Sequence, residues 1–328
     1  MKPLDNYWYS KSIIVLLLLP LSWVFQLIVA IRRWAFRVGL LKTSKLPVPV
    51  IVVGNINVGG TGKSPLVIWL AEFLKDSGYM PGIISRGYGG NSDMWPQQVV
   101  EGSDPRAVGE EAVMISQRTR CPMAVGPDRV AAARSLLKYT DCDVIISDDG
   151  LQHYSLGRDI EIVVIDGVRR FGNGHFLPAG PLRESRKRLA TVDLLVVNGT
   201  AGPREFQMKL VNNKVYNCKD NTISEDFQAF VTEEIHAVAA IGNPKRFFTD
   251  LRKKGLKIIE HPFRDHYFFS PGDISYNDGK SVLMTEKDAI KCKSIAGPQH
   301  WYVPVDAQLD ERFGQRLLRL LERKVKSG

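Results

Sequence analysis

A glycine-rich turn closing on Gly62, Lys63 and Ser64, an aspartate pair at Asp148 and Asp149, and a histidine at His266 are the residues of this chain best suited to chemistry. The turn lies in VPVIVVGNINVGGTGKSPLVIWLAEFL, between a β-branched apolar run and a helical pattern. That order binds phosphate, because glycines let backbone N–H groups close around an anion and a helix N-terminus adds positive potential. Asn57, Val58, Gly59, Gly60, Thr61 and Gly62 would form the cradle, Lys63 would reach the β- and γ-phosphates of ATP, and Ser64 would hold Mg²⁺. Asn57 stands where the usual pattern G-x-x-x-x-G-K-[ST] begins with glycine.

The aspartates end a second apolar run, DCDVIISDDGLQH. Carboxylates at the C-terminal end of a parallel strand project into the crevice where α/β sheets bind ligand. Two adjacent acids also suit a solvated turn; after a buried strand, in a chain with a phosphate loop, they read as metal-directed groups. Gln152 and His153 follow just beyond as candidate substrate-binding residues, and His153 equally fits a core or helix-capping role.

Positioning these groups requires a parallel sheet covered by helices. Candidate strands are 50–53, 82–85, 123–125, 144–147, 160–165 and 194–197, several without the polar alternation of half-exposed strands. The expected fold class is α/β, with a P-loop NTPase-like sheet over 46–201 and a second, smaller α/β lobe over 235–328. A β-ribbon-like connection over 202–234 joins them, with paired strands near 214–218 and 227–232.

The first 45 residues are different. Ile13 to Ile31 is an almost uncharged stretch followed by Arg32, Arg33, Arg37, Lys42 and Lys45, long enough to cross a hydrocarbon core. No small-residue cleavage site precedes the basic cluster, so an anchor reads better than a signal peptide. Pro20, Ser22 and Gln26 leave a spanning helix and an interfacial one both open; either places the rest of the chain in the cytoplasm. With 44 Lys and Arg against 35 Asp and Glu, the net charge of +9 suits an anionic lipid face or a phosphorylated substrate. Nucleic acid is not expected, because the charge is dispersed with no aromatic-interleaved basic motif. The four cysteines form no C-x-x-C pair and read as buried thiols.

Taken together, VGNINVGGTGKSP, SRGYGG, DDGLQH, IDGVRRFGNGHFLPAGPLRES, the Asp265-His266 pair, TEKDAIKC and VDAQL resemble the tetraacyldisaccharide 4'-kinase family over nearly the whole chain. The resemblance implies a phosphotransferase with an alcohol acceptor, moving the ATP γ-phosphate to the 4'-hydroxyl of an acylated glucosamine disaccharide 1-phosphate in lipid A biosynthesis. It also implies the cytoplasmic face of the inner membrane and no obligate protein partner. Arg86 and Arg129 would pair with substrate phosphates, and Glu184 would be a lesser Mg²⁺ ligand.

The family's catalytic acid lies in a Gly-Asp-Glu segment, where this chain has Gly109, Glu110 and Glu111. Glu110 would therefore orient His266 as base, with Lys63 and Asp149 completing the catalytic set. The extra methylene moves the carboxylate by roughly an ångström, which positioning tolerates poorly; Asp104 is the alternative acid. The competing reading of the whole chain is a membrane-tethered P-loop nucleotide switch or assembly ATPase.

Overall fold

A computed structural model describes residues 7–9 and 13–327, with side chains through residue 324. Residues 1–6 and 10–12 of the expected anchor segment lie outside the described residues, as does Gly328 at the end of the expected second lobe.

In chain order the first half contains α1 (Ile13–Arg37), β1 (Val50–Gly54), α2 (Lys63–Asp76), β2 (Pro81–Ser85), β3 (Gln97–Val99), α3 (Pro105–Val108), α4 (Glu110–Thr119), β4 (Met123–Val125), α5 (Arg129–Tyr139) and β5 (Val144–Ser147). Next come β6 (Ile160–Asp166), β7 (Leu194–Asn198), β8 (Phe206–Val211), β9 (Lys214–Asn217), β10 (Ser224–Asp226) and β11 (Glu234–Ala239). The chain ends with α6 (Pro244–Lys253), β12 (Lys257–Pro262), α7 (Pro271–Ile274), β13 (Val282–Thr285), α8 (Glu286–Cys292), β14 (His300–Val303), β15 (Asp306–Leu309) and α9 (Glu311–Ser327).

Among the described residues these strands form a nine-stranded sheet, in the order β15-β8-β7-β6-β1-β5-β2-β4-β3, and a six-stranded sheet, β10-β9-β14-β13-β11-β12. The centre of the larger sheet is parallel, and β1 and β5 are wholly buried, as their unbroken apolar runs require. Its two edges are antiparallel, β3 on β4 and β15 on β8. Phosphate loop and aspartate pair follow the adjacent strands β1 and β5, so both emerge at one end of the sheet.

Two boundaries differ from the sequence reading. The expected second lobe does not keep the last residues: β15 pairs with β8, and α9 returns Phe313, Leu317 and Leu321 to the core under Leu66, Leu70 and Leu74 of α2. An amphipathic helix buries its apolar stripe on whichever surface completes it, and here that surface belongs to the first lobe. The connection is likewise not a self-contained 202–234 segment. β8 joins the large sheet and β9 the small one, while β14 and β15 run back antiparallel beside them, so a two-stranded ribbon crosses between the lobes. Residues 227–230, expected as a strand, form a 3-10 turn whose Phe227 and Phe230 fill the second core.

Helix α1 runs continuously through Pro20 and rests on the body along one narrow face. Ser22 Oγ donates to the Phe176 carbonyl at 2.7 Å, Phe25 meets the Phe176 ring at 6.5 Å, and Arg33 donates to Thr191 Oγ1 at 3.3 Å. Leu16, Leu17, Leu21, Trp23, Leu27 and Ile28 are exposed on the remainder. By length and composition alone the helix is able to cross a membrane. All four cysteines are buried and free.

Candidate active site

The turn after β1 has the geometry of an anion cradle. Gly59 and Gly62 adopt φ of +104° and +96°, conformations that side chains resist. Gly62 caps α2 without a side-chain hydrogen bond, which leaves the first N–H groups of the helix open toward the turn. Asn55 Nδ2 braces the turn from inside by donating to the Gly59 carbonyl at 3.3 Å, and Asn198, at the end of β7, donates to the Thr61 carbonyl at 3.3 Å.

The cradle is shorter than the sequence suggested. Val58 spends its N–H on the Pro181 carbonyl at 2.8 Å, and the Asn57 side chain donates to the Arg170 carbonyl. A donor already used is not available to a phosphate, so Asn57 and Val58 tether the turn while Gly59 to Ser64 remain to wrap the ligand. The same 166–182 segment supplies a cation that the sequence reading missed. Arg169, fixed by Asp166 at 2.8 Å, lies over the turn and donates to the Gly60 carbonyl.

Three carboxylates meet the start of α2. Lys63 Nζ lies 3.5 Å from Asp149, which also faces Arg183 at 3.4 Å and accepts from Arg129 through its carbonyl at 3.2 Å. Ser64 Oγ donates to Glu111 at 3.0 Å, and Lys287 donates to the same carboxylate oxygen. Burial alone would push the Glu111 carboxyl up, but Lys287, then Lys63 and the Ser64 hydroxyl, hold it down at about 2. Asp148 behaves oppositely. It is buried, its Oδ1 has no hydrogen-bond partner, and burial followed by the Glu111 and Asp149 charges pushes it up to about 7.

A buried, unpartnered carboxylate oxygen crowded by like charges is where a divalent cation relieves most strain. Mg²⁺ uses one or two carboxylates with waters and phosphate oxygens, so Ser64, Asp148 and Glu111 fit it once a nucleotide is in place. Among the described residues no three His, Cys, Asp or Glu side chains are grouped to hold a metal unaided. Glu184 is placed elsewhere: Gln152 donates to it at 3.1 Å and Arg188 pairs with it at 3.3 Å, so its charge is already matched.

Glu110 opens α4 and His266 comes from the second lobe, yet His266 Nδ1 lies 3.0 Å from Glu110 Oε1. The glutamate's extra methylene does not prevent the contact. Its other oxygen faces the fully buried ammonium of Lys291 at 3.4 Å, and Lys291 is paired in turn with Asp288 at 2.8 Å. Asp104, the alternative acid, uses its side chain to cap α3 through the Arg106 N–H at 2.8 Å.

Two glycines make the His266–Glu110 contact possible. A Cβ at Gly109 would sit 2.5 Å from the Tyr88 carbonyl, and one at Gly90 would sit 2.5 Å from that of Ala107. SRGYGG and the turn before α4 thus interlock backbone to backbone, and Tyr88 packs its ring 5.5 Å from that of His266. Because Gly109 also has φ of +93°, Gly109→Ala should destabilise the fold by about 1–3 kcal/mol and displace Glu110. Denaturant titration and turnover measured on the same preparation check both effects.

The remaining expected residues divide. Arg129 is buried at the start of α5, and burial lowers its pKa, whereas Arg86 is exposed nearby. Gln152 braces the end of β1 by donating to the Asn55 carbonyl at 3.0 Å. His153 accepts the Arg129 N–H at 3.3 Å, the capping arrangement, and burial with the Arg129 charge lowers it to about 4.

Comparison with known proteins places this geometry. The model of the tetraacyldisaccharide-1-P 4'-kinase family matches residues 14–322. A tetraacyldisaccharide 4'-kinase of Nitrosococcus oceani is 55% identical over 321 residues, covering 98% of this chain and 95% of the relative. One from Coxiella burnetii is 48% identical over 96% of this chain and 94% of its own length. A crystal structure of LpxK from Aquifex aeolicus in complex with ATP aligns with TM-score 0.82 and 29% identity, over 94% of this chain and 99% of that one. With a shared sequence and a shared fold across nearly its full length, the chain belongs to the tetraacyldisaccharide-1-P 4'-kinase family.

Proposed function

We propose that this protein transfers the γ-phosphate of ATP to the 4'-hydroxyl of a tetraacylated glucosamine disaccharide 1-phosphate, in lipid A biosynthesis, at the cytoplasmic face of the inner membrane. The observation that carries the reading is the 3.0 Å contact between His266 and Glu110 beside an uncapped helix start bearing Lys63.

The turn from Gly59 to Ser64 binds the triphosphate through backbone N–H groups, and Lys63 exchanges Asp149 for the more highly charged phosphate. Ser64, Asp148 and Glu111 would hold Mg²⁺, which supplies neutralising charge to the phosphate oxygens when bound. The Glu110 carboxylate, 3.0 Å from His266 Nδ1, orients the ring so that Nε2 serves as the acceptor for the sugar hydroxyl proton. Lys291, buried 3.4 Å from the second Glu110 oxygen, holds that carboxylate in place behind the histidine. Arg183 and Arg129, gathered around Asp149, are the cations placed to meet substrate phosphate; His153 and Gln152 hold the elements that carry them.

The acyl chains stay in the bilayer. Exposed apolar residues of α1 give the protein its lipid contact, and a cavity of about 890 Å³ lined by Arg33, Arg37, Lys45 and Arg158 opens beside the basic end of that helix. Replacing Leu17, Leu21 and Leu27 together by Asp should lower the vesicle-bound fraction at least tenfold, since each charge costs about 2.5–3.5 kcal/mol in a membrane interior. Flotation with anionic phospholipid vesicles reads this directly, and unchanged binding would remove α1 as the anchor.

Incubation with γ-labelled ATP and the disaccharide lipid tests the reaction. Label on the 4' oxygen is the expected result. Free phosphate with an unmodified lipid would instead mark a nucleotide switch.

A further inference from the structure

Helix α8 lies in the second lobe but packs against α4, which carries Glu110 and Glu111. Three of its four charged residues answer charges on α4: Glu286 meets Arg118, Lys291 meets Glu110, and Lys287 meets Glu111, while Asp288 pairs with Lys291 within the helix. The first pair lies at the far end of α4 from the phosphate turn, and the second is buried behind the histidine. Lys287 alone of the three reaches a group that touches the phosphate loop.

The decisive detail is that Lys287 Nζ and Ser64 Oγ bond the same oxygen of Glu111, Oε1. A hydroxyl at this position of a phosphate loop lies beside the β- and γ-phosphates of a bound nucleotide. The ammonium is therefore one carboxylate oxygen away from that location. Lys287 is half-exposed, unlike Lys291, so its long flexible stem is able to leave Glu111 without emptying a packed site. The positive charge of Lys63 also acts on the same carboxylate.

We propose that Lys287 is a second phosphate lysine, delivered across the lobe interface, that moves from Glu111 to the γ-phosphate of ATP and stabilises the charge of the transferring phosphoryl group. It rests on the phosphoryl-transfer reading above. The ammonium of one lobe and the cradle of the other then meet on one triphosphate, so the γ-phosphate takes the place of Glu111 as the partner of Lys287 across the lobe interface. ADP lacks that group and leaves Lys287 on Glu111, so the two nucleotides are distinguished by this one contact.

Equilibrium binding of AMP-PNP and of ADP, each with Mg²⁺, to wild type and Lys287→Met tests the assignment without turnover. The variant should bind AMP-PNP about tenfold more weakly while ADP affinity is unchanged, the scale of one lost hydrogen bond to a charged group. Its kcat should fall about 100-fold. Lys287→Arg, whose guanidinium also pairs with phosphate, should retain the discrimination between the two nucleotides. Equal weakening of both nucleotides would make Lys287 a structural tether only, and no change in either would place it outside the site; both outcomes overturn the proposal. Thermal unfolding checks that the variant is folded, and Lys287→Gln replaces it if not. Failure of the underlying reading looks different, because wild type itself would then leave the sugar unphosphorylated.

Discussion

Lys63→Ala should reduce phosphoryl transfer by about 10³-fold, the upper range for removing one preorganised charge donor from a phosphate or oxyanion site. Its ammonium stands at the first residue of α2, where the uncapped helix start and the glycine turn converge. Among the described residues its one ion pair is to Asp149 at 3.5 Å, and Asp149 keeps Arg183 when the lysine is gone. No buried charge is stranded, so the melting temperature should barely move while the rate collapses. A lipid-kinase assay alongside thermal unfolding separates the two. A folded Lys63→Ala protein with wild-type turnover would remove the phosphate-loop assignment.

His266→Ala should lower kcat by about 10²–10⁴-fold, the usual contribution of a positioned acid–base group, with little loss of ATP affinity. The side chain is more than a third exposed and approaches the site from the second lobe, so it contributes little packing. Glu110→Gln should produce a similar loss for a different reason. An amide at that position also removes one of the two carboxylates around the buried Lys291, leaving it Asp288 alone, so this variant should be somewhat less stable as well as less active. If the two residues act as a unit, the double variant is scarcely slower than either single one. Independent, multiplying losses would separate His266 from Glu110.

What was legible in the sequence was what local chemistry writes there. The glycine turn and its Lys-Ser ending declare a phosphate loop because the backbone conformation and the ligand groups share one short segment. The buried strand before Asp148 and Asp149 declared their location in the same way. Glu110 and His266 became partners only through the family resemblance, since no periodicity relates an acid at the start of α4 to a histidine in another lobe.

Glu111, Arg169, Asn198, Lys287 and Lys291 were missed because each gains its meaning from a distant contact. The doublet Glu110-Glu111 and the segment TEKDAIKC carried the signal: adjacent acids on one helix and two lysines four apart on another are a matched set. The returning strand β15 and helix α9 were illegible for a related reason. An apolar stripe reports that a face is buried, and only the assembled structure says against what.

The most direct test is a crystal structure with AMP-PNP and Mg²⁺. The triphosphate should lie in the turn from Gly59 to Ser64 with its γ-phosphate aimed at the His266–Glu110 pair, across the gap where the sugar hydroxyl enters. A nucleotide bound elsewhere, or one whose γ-phosphate points away from that histidine, would contradict the account.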